Sequence, residues 1–199
     1  MAVSRWQEIL RRFAGRGVCP YQAGWTLVLP LRRLILTPEQ LADRLHLQDN
    51  LRVLELGCGP GYFSAEVARR LPQGALHLFD IQVEMLRAAR HRAQAKAPQN
   101  LSFTQGNGLG LPFRESAFDV VFMVTVLGEM PDPARCLGEV RRILQPGGLL
   151  SVTEQPGDPD FIPLPKLEAL AQQQGFTPEA SFGRGLHFTA NFRKPAAAG

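Results

Sequence analysis

From Leu51 onward the chain alternates between short apolar runs and longer amphipathic stretches. "LRVLEL", "GALHLFD", "NLSFTQ", "AFDVVFMV" and "GLLSVTE" read as strands, the longest of them apolar on both faces. Helices are predicted between them at Tyr62 to Leu71, Val83 to Ala97, Pro133 to Leu144 (closed by "QPGG") and Pro165 to Gln174. "FTPEASF" and "LHFTANF", joined at Gly183-Arg184-Gly185, predict a closing hairpin that reverses the last strand. The pattern implies a mostly parallel sheet with helices on both faces. Upstream, Trp6, Ile9, Leu10 and Phe13 fall on one face of a short helix, and "TPEQLADRLHL" starts a second with a capping box from Thr37 to Gln40. Residues 1–50 therefore read as an N-terminal helical arm or lid, and residues 51–199 as the core of one compact domain.

Length and composition agree with that picture: 199 residues, 45% hydrophobic and 20% charged, suit one domain with a sizeable core. The net charge of +4 is concentrated in residues 1–36, where six arginines meet one acid, Glu8. Such an arm can face an anionic partner or be a solvated helix face. Cys19, Cys58 and Cys136 form no CxxC pair, and His46, His77 and His91 are scattered, so no metal site is expected. With no leader or membrane-spanning run legible, a cytoplasmic protein is expected.

The candidate chemistry lies in "LRVLELGCGPGYFSAEVARRL". A strand, a glycine turn and a helix N-terminus direct unpaired N–H groups into the crevice beyond the strand ends. The spacing is GxGxG over Gly57, Gly59 and Gly61, with Glu55 just before it, rather than the GxGxxG of a dinucleotide fingerprint. An acid there suits a ligand carrying an ammonium beside a carboxylate and repels a pyrophosphate. Asp80, ending the second strand, can accept two ribose hydroxyls or cap the following helix. Together these residues point to an amino acid joined to a nucleoside.

"VLELGCGPGYFS", "LHLFDIQVEML", "QGNGLGLPFRESAFDVVFMVTVLGEMPDP" and "EVRRILQPGGLLSVTE" resemble successive blocks of the class I S-adenosylmethionine-dependent methyltransferases. The small members similar to ubiquinone and menaquinone biosynthesis methyltransferases are the nearest in pattern. The resemblance implies a Rossmann-like seven-stranded α/β sheet of order 3-2-1-4-5-7-6, last strand antiparallel. It implies that Gly57, Cys58, Gly59 and Gly61 wrap the methionine part of S-adenosylmethionine, with Glu55 near its ammonium. Asp80 would hold the ribose hydroxyls, Ile81 would lie against the adenine, and Asn107-Gly108 would meet the adenine edge. Asn107 stands where the family usually has aspartate. Val124 and Thr125 would sit beneath the sulfonium.

Methyl transfer from a sulfonium is an in-line displacement, for which a protein supplies alignment and exclusion of water. Candidate acid or base groups are Glu129 after the fourth strand, with a capping role as its alternative, and Glu154 at the end of the fifth. Enzymes of this family that methylate base amino groups carry Asn or Asp followed by Pro-Pro-Tyr here. "VTVLGEMPDP" has no such tetrad, which argues against nucleic acid. The expected acceptor is a small molecule, apolar or lipid-like, walled by Tyr21 and Trp25 and approached past Arg32 and Arg33, with weak membrane contact through the first helix as a further reading. The alternatives are a cofactor-binding protein without transferase activity and a nicotinamide-dependent oxidoreductase.

Overall fold

The structure, a computed structural model, describes residues 35–94 and 100–196. Its first element is helix α1, Pro38–Arg44. Thr37 caps it as the capping box predicts: its Oγ1 accepts from the Gln40 N–H at 3.1 Å, and its own N–H donates to Gln40 Oε1 at 3.0 Å. Then follow β1 (Arg52–Leu56), α2 (Ser64–Arg69), β2 (Ala75–Asp80), α3 (Val83–Gln94) and β3 (Leu101–Gln105). Next come β4 (Phe118–Val124), a 3-10 turn at Leu127–Glu129, α4 (Pro133–Ile143) and β5 (Leu144–Glu154). The series closes with α5 (Leu164–Gln173), β6 (Thr177–Arg184) and β7 (His187–Arg193).

The sheet has seven strands in the order β3-β2-β1-β4-β5-β7-β6. Pairings among β1 to β5 are parallel, and β7 runs antiparallel to both its neighbours, β5 and β6. This is the order and the reversal that the family resemblance implies. Because strand side chains alternate, the sheet carries two cores. Leu54, Leu56, Val121, Met123, Leu150 and Val152 pack with Leu137, Val140 and Leu167 of α4 and α5 on one face. Val53, Leu76, Leu78, Val120 and Phe122 pack with Leu41, Val67 and Ala89 of α1, α2 and α3 on the other.

Near β7 that second face turns polar. Thr153 and Thr189 pair across the strands and share a hydrogen bond at 2.8 Å. Arg44 Nη1 donates to Thr189 Oγ1 at 2.8 Å, and Asn191 Nδ2 donates to the Arg44 carbonyl at 2.7 Å, so polar contacts pin the end of α1 to the sheet.

Three boundaries depart from the hydrophobic pattern. Helix α2 begins at Ser64 rather than Tyr62, because residues 61–63 are turns that close the glycine loop. "QPGG" does not end in a turn. It forms the bulged first half of β5, where the register with β4 jumps from Phe118↔Leu144 to Val120↔Leu149. There the Gly147 N–H donates to the Lys194 carbonyl at 2.8 Å, and the Lys194 N–H donates to the Gly148 carbonyl at 3.0 Å. The hairpin turns one residue later than the glycines suggest, since Arg184 pairs with His187 and leaves Gly185-Leu186 as the two-residue loop.

At the edge opposite the strands' carboxyl ends, Asp119 of β4 clamps β1. It accepts from the Arg52 backbone N–H at 2.6 Å and from the guanidinium at 3.0 and 3.1 Å. Asp119→Ala strands a backbone donor as well as the guanidinium, and should lower unfolding free energy by about 2 kcal/mol in urea titrations.

Candidate active site

Beyond the carboxyl ends of β1, β2 and β4 lies a cleft of about 370 Å³. Its floor is the turn after β1. The N–H groups of Gly57 and Cys58 both donate to the Phe79 carbonyl, at 2.8 and 3.1 Å, which ties that turn to the end of β2. Gly57 has φ +72°, and a Cβ on it would lie 2.4 Å from Val126 Cγ2. The position therefore needs glycine on two grounds, backbone conformation and space.

Asp80 is 6% exposed. Its Oδ2 accepts from the Gly59 N–H and its Oδ1 from the Gln82 N–H, both at 2.9 Å. The Ile81 N–H also turns toward it, and a carboxylate has about four acceptor sites, so room for a hydroxyl donor remains. Burial raises its pKa, and the N–H bonds partly offset that. The capping and ribose-binding readings of Asp80 are thus compatible in one side chain. Glu55, also buried, receives the Ser64 hydroxyl on Oε2 at 2.5 Å. Between them the Cys58 thiol is pushed well up by burial and by the Glu55 and Asp80 charges, which makes it a packing group and not a nucleophile.

The structure brings Glu55, Gly57, Cys58, Gly59, Asp80, Ile81, Asn107, Gly108, Val124, Thr125 and Glu129 together in the wall of one cleft. Ile81 is 47% exposed at its rim. Asn107 Oδ1 accepts from the Leu109 N–H at 2.9 Å, which fixes the amide's orientation and leaves one oxygen lone pair. Thr125, a β-branched residue, sits at φ +54°. It is held there by its N–H on the Thr153 carbonyl at 2.9 Å and its hydroxyl on the Val124 carbonyl at 2.7 Å.

Two of the expected site residues stand outside the cleft wall. Gly61 packs the loop onto α3, where a Cβ would lie 2.9 Å from Ala89 Cα. Glu154 is fully buried at the end of β5, with no hydrogen-bond partner for either oxygen. Burial above all, then the charges of Asp158 and Glu129, push its pKa up to about 8; the Ile162 N–H points toward it and offsets a part. Tyr21, Trp25, Arg32 and Arg33 lie outside the described residues. Met85, Leu109, Val126 and Met130 also line the cleft but carry no mark in the sequence, since apolar side chains beside a helix start or a strand end look like ordinary core.

The charge of the cleft discriminates between ligands. Among its described lining residues three are acidic, Glu55, Asp80 and Glu129, and none is basic. A pyrophosphate would meet carboxylates without a counter-ion, whereas an ammonium at Glu55 and hydroxyls at Asp80 each meet a suitable group.

Residues 47–177 match the model of a family described as a methyltransferase domain. The chain belongs to this family. S-adenosylmethionine is the cofactor that membership implies, and the carboxylates and glycine turn of the cleft fit it. The methyltransferase domain is 32% identical over 130 residues to a demethylmenaquinone methyltransferase of Lactiplantibacillus plantarum, covering 63% of this chain and 55% of that protein. It is 35% identical over 103 residues to a 2-phytyl-1,4-naphtoquinone methyltransferase of Trichormus variabilis, covering 51% and 45% respectively. The chain thus spans about half the length of the curated relatives it matches. A solved SAM-dependent methyltransferase from Aquifex aeolicus shares the fold, with a TM-score of 0.81 at 18% identity over 88% of this chain and 98% of that one.

Proposed function

We propose that this protein binds S-adenosylmethionine through Glu55, the Gly57–Gly59 turn, Asp80, Ile81 and Asn107, and transfers its methyl group to a small apolar or lipid-like acceptor. The observation that carries the reading is the pair of anchored carboxylates, Glu55 and Asp80, at the glycine turn of a cleft without a basic lining residue among those described. The bound cofactor supplies an electrophilic methyl group. The chain's own contribution is to hold the nucleoside at Asp80, to hold the amino acid at Glu55, and to shield the reacting end with Val126 and Met130.

The acceptor class rests on the relatives whose names specify naphthoquinone-type substrates. In the proposal residues 1–50 choose the acceptor, with Tyr21, Trp25, Arg32 and Arg33 as the residues to test, and Glu129, in the cleft wall, takes the acceptor's proton where one must leave. The buried free thiols of Cys58 and Cys136 suit a reducing, cytoplasmic setting. Among the described residues no helix is long and apolar enough to cross a membrane.

Thermal unfolding tests the cofactor. S-adenosylhomocysteine at a hundred times its dissociation constant should add about 2.7 kcal/mol, a rise of several degrees in Tm. Oxidised and reduced nicotinamide dinucleotides should give none. A shift with a dinucleotide alone would overturn the proposal. Label transfer from methyl-labelled cofactor to a naphthoquinol then separates a transferase from a protein that only binds.

A further inference from the structure

Sheet pairing brings Glu154 close to the reacting end of the cleft. Val124 pairs with Thr153, and the Thr125 N–H donates to the Thr153 carbonyl at 2.9 Å. Glu154, one residue further on, ends β5 directly after the carbonyl that holds Thr125. Val124 and Thr125 line the cleft. Glu154 lies just behind that wall, fully buried, with only the Ile162 N–H turned toward it and no well-formed hydrogen bond to either oxygen. An amide of the same shape would fill this space without carrying a charge, so a carboxyl left in such surroundings is a mark of use.

Two charged groups act on Glu154: Asp158 from the loop after β5 and Glu129 from the turn after β4. That turn and loop are in close contact, since a Cβ on Gly128 would fall 1.9 Å from the Asp160 carbonyl. On β7 its cross-strand partner is Phe188, while Arg44 bonds Thr189 on the other face of the sheet, where His187 also lies by strand alternation.

We propose that Glu154 is a specificity-determining residue of the cofactor site, whose negative charge makes the cleft prefer the cationic sulfonium of S-adenosylmethionine to the neutral thioether of S-adenosylhomocysteine. This inference rests on the cleft being an S-adenosylmethionine site. Methyl transfer removes one positive charge from the bound nucleoside. A carboxylate behind Val124 and Thr125 stabilises the group before transfer and not after it, so spent product is exchanged for fresh donor. The linkage is reciprocal. Burial and like charges keep a proton on Glu154 near neutrality, a cation in the cleft favours its release, and a thioether does not.

The test is isothermal titration of the whole chain with each nucleoside over roughly pH 7 to 9. Wild type, Glu154→Gln and Asp158→Asn are compared. The ligands' own amino groups titrate in this range, but identically for all three proteins. In wild type the preference for S-adenosylmethionine over S-adenosylhomocysteine should rise roughly five- to tenfold across the range. In Glu154→Gln that rise should vanish. Asp158→Asn keeps the Oδ1 that accepts from the Asp160 N–H but removes a like charge, so the midpoint of the rise should move to lower pH. A Glu154→Gln protein that keeps the wild-type rise, or an Asp158→Asn protein with an unmoved midpoint, overturns the proposal and leaves the cofactor reading standing. Binding of neither nucleoside to any of the three proteins overturns the cofactor reading, and the proposal with it.

Discussion

Gly57→Ala is expected to weaken S-adenosylhomocysteine binding at least a hundredfold. The added Cβ would lie 2.4 and 2.8 Å from the two methyl carbons of Val126, which is itself buried. The turn cannot retreat, because the N–H groups of Gly57 and Cys58 are both spent on the Phe79 carbonyl. Val126 cannot easily move either, since it follows Thr125, whose left-handed backbone is held by two hydrogen bonds. Left-handed backbone costs a non-glycine residue about 1–2 kcal/mol, and overpacking a further 1–3 kcal/mol. Where that energy comes out of the cleft's shape, each 1.4 kcal/mol is tenfold in affinity. Gly185→Ala is the control: φ is +66°, nothing lies within 4 Å of the added carbon, and the hairpin tip is remote from the cleft. It should lose about 1 kcal/mol of stability and none of the affinity. Affinity within threefold of wild type for Gly57→Ala would show that the turn is not a ligand cradle.

Glu154→Gln should make the protein more stable. A carboxyl whose folded pKa is raised to about 8 from an ordinary 4.5 is fully tolerated only below about pH 4.5. As pH rises toward 8 the unfolded chain ionises while the folded one does not, so the folded state loses ground until the folded pKa is passed. At 1.36 kcal/mol per pH unit of that window the penalty is roughly 3 kcal/mol at pH 7. Glutamine mimics the protonated form and carries no such penalty. The variant's Tm should exceed that of wild type by roughly 6–12 °C at pH 7, with a gap that narrows toward pH 5. An unchanged or lower Tm at pH 8 would mean that Glu154 is solvated or paired in solution. A gain in stability joined to a loss of cofactor discrimination is the signature of a buried charge retained for function.

Much of the fold was legible because its strands are buried on both faces. "FDVVFMV" is apolar almost throughout, and "RVLEL" sets apolar residues on both faces, as a central parallel strand requires. Glu55 and Asp80 were legible because each ends a strand, and a parallel sheet gathers strand ends at one edge. What escaped did so for local reasons. Tyr62 and Phe63 continue the helical period of α2 yet belong to the turn, since the loop's route is set by contacts with Val126 and Ala89, remote in sequence. "QPGG" looks like a terminator, but Lys194 supplies the partner that keeps it in the sheet. Glu154 was placed at a strand end without any sign of its cover. That cover includes Ile162 and the rest of the 155–163 loop, whose irregular course no periodicity encodes.

The position of β7 between β5 and β6 has a consequence for biosynthesis. Strands β1 to β5 and helices α1 to α4 around them can assemble as they emerge, but β5 keeps one edge of unpaired amides and carbonyls until residues 187–193 have left the ribosome. β6, made earlier, cannot close that edge, because in the finished sheet it touches only β7. The nascent chain therefore passes through a stage in which an apolar strand such as "GLLSVTE" is open to any passing strand. Slow translation or premature termination between β5 and β7 would prolong that stage, and chaperone demand and aggregation should be concentrated there.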